Sequence, residues 1–258
     1  MQFTEAQVLN LLGVWLWPFI RIAGFVMAAP VIGTRSVPTR IRMVLVLVLT
    51  GVLVPTISPA ANVDPLGGSG LLTAIHQVVI GATIGMVLRL VFVVYEFAGQ
   101  LIAQQMGLSF AAMVDPTSGN QVPVLSHLYI IIATLLFFTL DAHLVLIRLL
   151  GQSFDLLPIG PQGITSAGAG AIVDWSARLI ADGLLLSLPI VVALLAINFA
   201  FGVMARAAPQ LNILAVGFPV MLVVGVILVI VTLPTLIEFS ESLFERAFGV
   251  ARLALGAR

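Results

Sequence analysis

Charged side chains inside apolar stretches are the residues of this chain best placed to do chemistry. They are Arg21, Arg89, Glu96, Asp141, Asp182 and Glu238. Because an ionisable group is costly to hold among apolar residues, its presence there is a hypothesis of function, most often proton transfer or ion pairing. The spacing of these residues helps to decide between the two uses.

Two sets of these charges have helical spacing. Asp174, Arg178 and Asp182 fall at successive four-residue steps, so a helix would place them in one stripe of alternating sign. Arg89 and Glu96 are seven residues apart and would share a helix face in the same way. For both sets the spacing favours a neutral structural pairing over a proton path.

The three histidines offer little further chemistry. His143 has an acid, Asp141, two positions before it, and histidine titrates most easily near neutral pH. A proton relay is therefore conceivable, but a partly wet helix end explains Asp141 equally well. His76 and His127 have no neighbours that resemble metal ligands, so no metal, catalytic or cofactor-binding residues are predicted.

Composition places the chain among membrane proteins. Of its 258 residues 60% are hydrophobic and 9% are charged, against about 25% charged in a soluble domain. Eleven basic residues, all of them Arg, balance eleven acids, so no net field would attract nucleic acid. Without Lys or Cys the chain lacks a phosphate-loop lysine and a thiol nucleophile, and no enzyme motif is present. We predict neither an enzyme nor a bound cofactor.

Six apolar runs would carry these residues. They span roughly residues 8–32, 43–57, 71–98, 122–147, 179–205 and 213–239. They lack the alternating polarity of barrel strands, so the prediction is an all-α membrane protein with helices kinked at internal prolines. The second run, of about 15 residues, gives roughly 22 Å of helix and falls short of a bilayer core of about 30 Å unless flanking residues contribute.

Small residues in the third run predict a close helix contact. Gly81 and Gly85 are four residues apart, which lets another helix approach their shared face. That other helix belongs either to a partner subunit or to this same chain.

A segment of intermediate character joins the third and fourth runs. Residues 99–123 contain no Arg or Lys and one acid, Asp115, among small residues, amides and soft apolar side chains. Such a segment either lines a protein cavity at membrane depth or rests on the membrane surface.

Three motifs in this order resemble the FliR family, the R subunit of the flagellar type III protein export gate. The first is Ala-Pro-Val-Ile-Gly-Thr-Arg-Ser-Val-Pro-Thr-Arg-Ile-Arg at residues 29–42. The second is Gln-Met-Gly-Leu-Ser-Phe-Ala-Ala-Met-Val-Asp-Pro at 105–116, and the third is Met-Ala-Arg-Ala-Ala-Pro-Gln-Leu-Asn at 204–212 with Gly-Phe-Pro at 217–219. The resemblance extends over nearly the whole chain.

This resemblance implies helical hairpins packed in a hetero-oligomeric export gate of the bacterial inner membrane, within the flagellar basal body. Its implied partners are P and Q family gate subunits, gate proteins with large cytoplasmic domains, exported unfolded polypeptides and membrane lipid. It divides the chain into a P-like part, 1–175, and a Q-like hairpin with a C-terminal helix, 176–258. No nucleic acid and no cofactor are implied.

The resemblance also implies two sites. A plug loop at about residues 106–122 would project into the channel and help to close it. Its residues are Met106, Gly107, Leu108, Ser109, Phe110, Met113, Asp115, Pro116 and Gly119. Small residues with flexible Met and Leu suit a weakly binding, deformable seal. A cytoplasmic turn would contain Arg206, Pro209, Gln210 and Asn212.

Two other functions remain open at this point. The charges in apolar surroundings are also expected of a six-helix secondary transporter for a small solute. A purely structural nucleator that only assembles its partners is the third hypothesis.

Overall fold

The computed structural model describes residues 5–34, 36–57, 67–108, 124–207 and 213–256, with the backbone alone at 5–12 and 213–215. All regular structure in these ranges is helical, which confirms the all-α prediction. In chain order the helices are α1 (Glu5–Ala28), α2 (Thr39–Leu53), α3 (Gly68–Gln105), α4 (Val124–Thr139), α5 (Ala142–Leu156), α6 (Ser166–Ala207) and α7 (Ile213–Ala254).

The fourth apolar run forms two helices, which corrects the expectation of one. The chain breaks after α4 at Asp141, whose φ of 53° lies in the left-handed region. Asp tolerates this region better than most residues because its short polar side chain can bond locally. Its carbonyl oxygen then accepts the amides of Leu144 and Val145, and α5 begins there.

Among the described residues, four helices are long and apolar enough to cross a membrane, or up to five if α4 and α5 together make one span. The short second run reaches this length because a 3-10 turn, Val54–Thr56, extends α2 to 18 residues. Four prolines in the described part of the chain lie inside α-helices and end none of them: Pro18 in α1, Pro189 in α6, and Pro219 and Pro234 in α7.

The turn between α1 and α2 contains a strained residue. Val31 has a φ of 64°, which is rare for a β-branched side chain. The amide of Ile32 donates to the carbonyl oxygen of Pro30 at 2.6 Å, closing a three-residue turn around it. Arg42 of α2 donates twice to the carbonyl oxygen of Val37, at 2.8 and 3.0 Å, and so holds the far side of the turn.

The helices group into two compact units. Unit 1 comprises Met1–Val91, Asp141–Ser176 and Phe244–Arg258, and unit 2 comprises Phe92–Leu140 and Ala177–Leu243. The helices α3, α6 and α7 each contribute one part to each unit. The division at residues 175 and 176 into P-like and Q-like parts rests on the resemblance and stays a prediction.

In unit 1 the backbones of α1 and α3 touch. A Cβ atom on Gly81 would overlap the carbonyl oxygen of Arg21, and one on Gly85 would lie 2.7 Å from the amide nitrogen of Ala29. A Cβ atom on Gly24 of α1 would lie 2.6 Å from the carbonyl oxygen of Val78. The predicted close contact at Gly81 and Gly85 is therefore made within this chain.

The end of α7 completes the core of unit 1. Buried there are Phe244, Ala247, Phe248, Ala251 and Ala254. A Cβ atom on Gly168 of α6 would lie 2.5 Å from the carbonyl oxygen of Ala254, so the two helices touch through backbone here as well. Unit 1 thus depends on residues from the start, the middle and the end of the chain.

In unit 2 the second part of α3 is the central element. Its buried residues are at most 1% exposed: Val94, Tyr95, Ala98, Ile102, Ala103 and Met106. On α4, Ser126 packs against Gly99, where a Cβ atom would lie 2.7 Å from the Ser126 Cα atom. On α6, Gly183 faces the ring of Phe97, whose Cδ1 atom would lie 2.7 Å from an added Cβ atom.

The outer faces of α2, α6 and α7 remain apolar and exposed. In the most apolar windows of α6 and α7, 17% and 22% of the residues are buried inside the chain. Exposed apolar surface on this scale is typical of helices that contact lipid or other subunits.

Candidate functional site

Three residues of the predicted plug loop are described, and they form the turn that directly follows α3. They are Met106, Gly107 and Leu108. The other six, Ser109, Phe110, Met113, Asp115, Pro116 and Gly119, lie outside the described residues.

The end of α3 is fixed by a Schellman motif. The amide of Leu108 donates to the carbonyl oxygen of Ala103 at 3.0 Å, and the amide of Gly107 donates to that of Gln104 at 3.1 Å. Gly107 has a φ of 80°, which glycine adopts without a Cβ clash. The described start of the loop is therefore a regular, hydrogen-bonded helix end.

Met106 packs across α7 at Gly225. Its side chain is 1% exposed. A Cβ atom on Gly225 would lie 2.6 Å from its Cγ and Cε atoms and 2.7 Å from its Sδ atom. Any larger residue at 225 would require the Met106 side chain to move, because real Cβ contacts lie well beyond these distances.

Gly225 belongs to the buried face of α7 within unit 2. Gly217, Met221, Gly225 and Val229 are all buried and follow one another at four-residue steps. This spacing places them on one face of a helix. Met106 therefore contacts the stripe of α7 that faces inward.

A second contact in unit 2 joins α3 to α7 through hydroxyl groups. The hydroxyls of Tyr95 and Ser240 are hydrogen-bonded, and both residues are fully buried. The Ser240 hydroxyl also donates to the carbonyl oxygen of Leu236 in its own helix. This uncharged pair adds a directional hydrogen bond to an otherwise apolar interface between α3 and α7.

Of the predicted cytoplasmic turn, Arg206 is described. It is exposed and lies in the last turn of α6, where a cation complements the negative end of the helix dipole. Pro209, Gln210 and Asn212 lie outside the described residues.

The predicted charge pairs lie on two helices. On α3, Arg89 is exposed and Glu96 is half-buried. On α6, Asp174 and Arg178 are exposed, whereas Asp182 is buried with 5% of its surface exposed. Both sets stand on helices, as their spacing requires, and their pairing stays a prediction.

Arg21 has a position that its sequence context did not reveal. This α1 side chain is fully buried in unit 1. Its Nε atom donates to Gln77 Oε1 at 2.7 Å, and its Nη1 atom donates to the Ser153 carbonyl oxygen at 2.7 Å and to Ser153 Oγ at 3.1 Å. Its Nη2 atom donates to the carbonyl oxygen of Leu157 at 2.7 Å. Arg21 thus joins α1, α3 and the end of α5.

The end of α5 supplies the negative potential that Arg21 needs. Ser153 lies in the last turn of α5 and Leu157 is its C-terminal cap. The carbonyl oxygens at a helix C-terminus carry partial negative charge, and an arginine can bond them directly. The ring of Phe154 lies 4.2 Å from the guanidinium carbon and adds a cation–π contact. The sequence marked Arg21 as a charge inside an apolar run, but it did not indicate which residues Arg21 would contact.

Among the described side chains, no group of three or more His, Cys, Asp or Glu residues could hold a metal ion. The contacts of Met106 and Tyr95 with α7 make the junction of α3 and α7 in unit 2 the candidate functional element, since the predicted plug loop begins at Met106.

Known proteins match nearly the whole chain. It is 37% identical over 250 residues to the flagellar biosynthetic protein FliR of Escherichia coli (strain K12), covering 97% of this chain and 95% of that one. It is 37% identical over 248 residues to FliR of Pectobacterium carotovorum subsp. carotovorum, covering 96% and 95%. FliR of Bacillus subtilis (strain 168) is 27% identical over 245 residues, covering 93% of both. The profile described as "Bacterial export proteins, family 1" matches residues 12–247, and the chain therefore belongs to this family of bacterial export proteins.

Proposed function

We propose that this chain is a core subunit of the flagellar type III protein export gate, where it helps to form and close the channel for unfolded flagellar proteins. The observation that carries the proposal is the match to FliR proteins over nearly the full length of both chains. Four or five apolar helices of spanning length within the described residues support a place in the membrane.

As an export component the chain works with other parts of the export apparatus. The partners proposed are P and Q family gate subunits and gate proteins with large cytoplasmic domains, in the inner membrane at the flagellar basal body. The exposed apolar faces of α6 and α7 support this, because such surfaces need cover from subunits or lipid. The proposed role is structural and conductive, without catalysis.

The proposed closing element is the segment at about residues 106–122. A passage for polypeptides of any sequence needs a seal that does not bind its cargo strongly. The segment has no Arg or Lys and carries flexible Met side chains, which provide weak and adaptable contact. The proposed cytoplasmic turn contains Arg206 and lies between α6 and α7. It would contact exported polypeptides or a gate partner, or would hold the hairpin of α6 and α7 together.

The solute-transporter alternative gains nothing from the comparisons, which name export and flagellar biosynthesis. The purely structural alternative differs from the proposal in one respect, because a nucleator would affect export only through assembly. The test must therefore measure assembly and conduction separately.

The test uses the native host with its chromosomal copy deleted and a plasmid copy restored. Loss of the whole chain should abolish secretion of flagellar proteins into the medium, and the intact plasmid copy should restore it. Deleting residues 109–119 should leave the amount of purified assembly unchanged and raise its ion conductance in planar bilayers.

Each outcome has a distinct meaning. Secretion that persists without the chain overturns the export role. Normal assembly with an unchanged closed-state conductance after the deletion overturns the plug role and favours the structural nucleator.

A further inference from the structure

The hairpin of α1 and α2 in unit 1 carries positive charge that no acid of its own balances. Residues 6–63 contain four Arg and no Asp or Glu. Arg21 is buried and finds its acceptors on α3 and at the end of α5. The other three, Arg35, Arg40 and Arg42, lie within eight residues of sequence. The positive charge of the hairpin is therefore concentrated where α2 begins.

The two arginines of α2 are used differently. Arg42 is half-buried, and its guanidinium donates to the carbonyl oxygens of Val37 and Thr34. These acceptors carry no net charge, so they orient Arg42 without neutralising it. Arg40 is exposed, and no described acid pairs with it or with Arg42. The start of α2 thus presents a net positive charge to its surroundings.

One half of α2 is apolar and open. Its exposed side chains between residues 41 and 52 are all apolar and are 49–64% exposed: Ile41, Met43, Val44, Leu47, Val48 and Val52. At 3.6 residues per turn they cover about half of the helix circumference. The buried residues Val46 and Thr50 lie on the opposite side. α2 therefore packs against the rest of unit 1 along one stripe and leaves its other half uncovered.

The polar side chains along α2 suit an apolar environment. The Thr50 hydroxyl donates to the carbonyl oxygen of Val46 at 2.7 Å, within the buried stripe. The Thr56 hydroxyl donates to the carbonyl oxygen of Leu53 at 2.7 Å. Lipid offers no hydrogen bonds, so a helix in lipid must satisfy its polar groups internally. With its 3-10 turn α2 has 18 residues, which gives about 27 Å against a hydrocarbon core of about 30 Å.

Arg40 lies at the head of the apolar half. Val44 and Leu47 follow it at steps of four and three residues, so these three residues share one line along the helix. Helical side chains lean toward the N-terminus, and Arg40 belongs to the first turn of α2, so its side chain is directed away from the apolar residues. A cation at one end of an apolar helix face is the arrangement expected beside a lipid headgroup.

We propose that the start of α2 binds the headgroup of an anionic phospholipid through Arg40, with the acyl chains against the apolar half of the helix. This inference rests on the proposed place of the chain in the membrane. The lipid phosphate supplies the negative charge that the hairpin lacks, and acyl chains cover the apolar half without adding polar groups. A protein partner at the same place would have to supply both an acid for Arg40 and about three turns of apolar surface.

The first experiment asks what covers the apolar half. The chain has no native Cys, so Leu47→Cys carries a single fluorophore in an assembly whose other subunits have no reactive Cys. The assembly is reconstituted in vesicles of phosphatidylcholine and phosphatidylglycerol, one of which is brominated to quench the fluorophore on contact. Both brominated lipids should quench it, and iodide in the water should not.

The second experiment removes the charge. At equal mole fractions, brominated phosphatidylglycerol should occupy the site about five times as often as brominated phosphatidylcholine, which is the effect of one basic residue at an anionic surface. Arg40→Gln should abolish this preference. The matched control is Arg178→Gln, which removes the same charge from an exposed position of α6 with Asp174 and Asp182 four residues to either side. The control should keep the fivefold preference, and its loss in both variants would overturn the inference.

Two further measurements cover the case in which Arg40→Gln does not assemble. Arg40→Lys keeps the charge and should keep most of the preference. In the unaltered chain, 1 M salt shortens the Debye length to about 3 Å and should reduce the preference for phosphatidylglycerol severalfold. A preference that is unchanged by salt would overturn the inference.

The remaining outcomes separate this inference from the proposed function. A probe that neither lipid nor iodide quenches is covered by protein, and one that iodide quenches faces water. Equal quenching by the two lipids shows a lipid-facing helix without a headgroup site. Each of these results overturns the inference, whereas the export role stands as long as secretion depends on the chain.

Discussion

The two parts of α3 are held by different kinds of contact. In unit 1 the helix meets the α1 backbone directly at Gly81, and a buried cation, Arg21, ties it to the end of α5 with directional hydrogen bonds. In unit 2 the same helix also meets the α4 backbone at Gly99, but side chains that lie over glycines make contacts with α6 and α7, Phe97 at Gly183 and Met106 at Gly225. One helix thus combines a rigid junction with an adjustable one.

The two junctions differ in how much free energy a small shift of their contacting groups costs. Backbone contacts and a hydrogen-bonded guanidinium permit one arrangement, because any shift leaves buried polar groups without partners. A methionine side chain can repack with a small change in dispersion energy. We therefore expect substitutions at the contacts of unit 1 to cost more stability than substitutions at the α3–α7 junction of unit 2.

The largest effect is expected when the cation is removed. Arg21→Met should destabilise the protein by about 4 kcal/mol, because Gln77 Oε1 and the Leu157 carbonyl oxygen lose their donor inside the core. The melting temperature of the detergent-solubilised assembly measures this loss. Arg89→Met, at an exposed position of α3, should change stability by no more than about 0.5 kcal/mol. Equal melting temperatures for the two variants would refute the proposed importance of the buried network.

A methyl group at the backbone contact should have the next largest effect. Gly81→Ala should cost about 3 kcal/mol, because the added Cβ atom meets the Arg21 carbonyl oxygen and not a movable side chain. Gly51→Ala in α2 meets nothing within 4 Å and should gain up to about 1 kcal/mol from helix propensity. Thermal unfolding of the two assemblies in the same detergent gives the comparison. If Gly81→Ala lowered the free energy of unfolding no more than Gly225→Ala does, the contrast between the two junctions would be contradicted.

The hydroxyl pair of unit 2 should contribute less. Tyr95→Phe should destabilise by about 1 kcal/mol, since Ser240 keeps its bond to the Leu236 carbonyl oxygen. Ser240→Ala and the double variant complete a cycle measured by thermal unfolding. A coupling near zero would mean that the buried pair adds nothing to this interface.

The smallest effect concerns the strained turn of unit 1. Val31→Gly should stabilise the protein by about 0.5 kcal/mol, because relief of the positive φ, worth about 1–2 kcal/mol, exceeds the entropy that glycine adds to the unfolded chain. Val37→Gly, in the same turn, lacks this relief and should destabilise. Melting temperatures that fall equally in both variants would argue against strain at Val31.

The helices could be predicted from the sequence because long apolar runs and their breakers are local signals. The close contact at Gly81 and Gly85 was also visible as a pattern of small residues. The break at Asp141 was harder, because nothing in an apolar run marks a left-handed residue before the next helix begins.

The two junctions could not be predicted because they depend on distant partners. Arg21 bonds Ser153 and Leu157, which are 132 and 136 residues away, and two of its acceptors are backbone carbonyls that no side-chain pattern announces. Met106 was assigned to the plug loop by the family resemblance, and its flexible side chain agreed with that assignment. Its buried position depends on Gly225, and only the crossing of α3 with α7 reveals that pairing.

The make-up of unit 1 has a consequence for how the chain is made. Its core includes residues 244–254 of α7, so the ribosome must reach these residues before the first helices can complete their packing. At about 5–20 residues per second, several seconds separate synthesis of Ser176 from that of Phe244. During this interval the insertion machinery or lipid must cover the apolar surfaces of the nascent helices. A chain truncated before Phe244 would lack part of the core of unit 1 and would be a substrate for proteolysis.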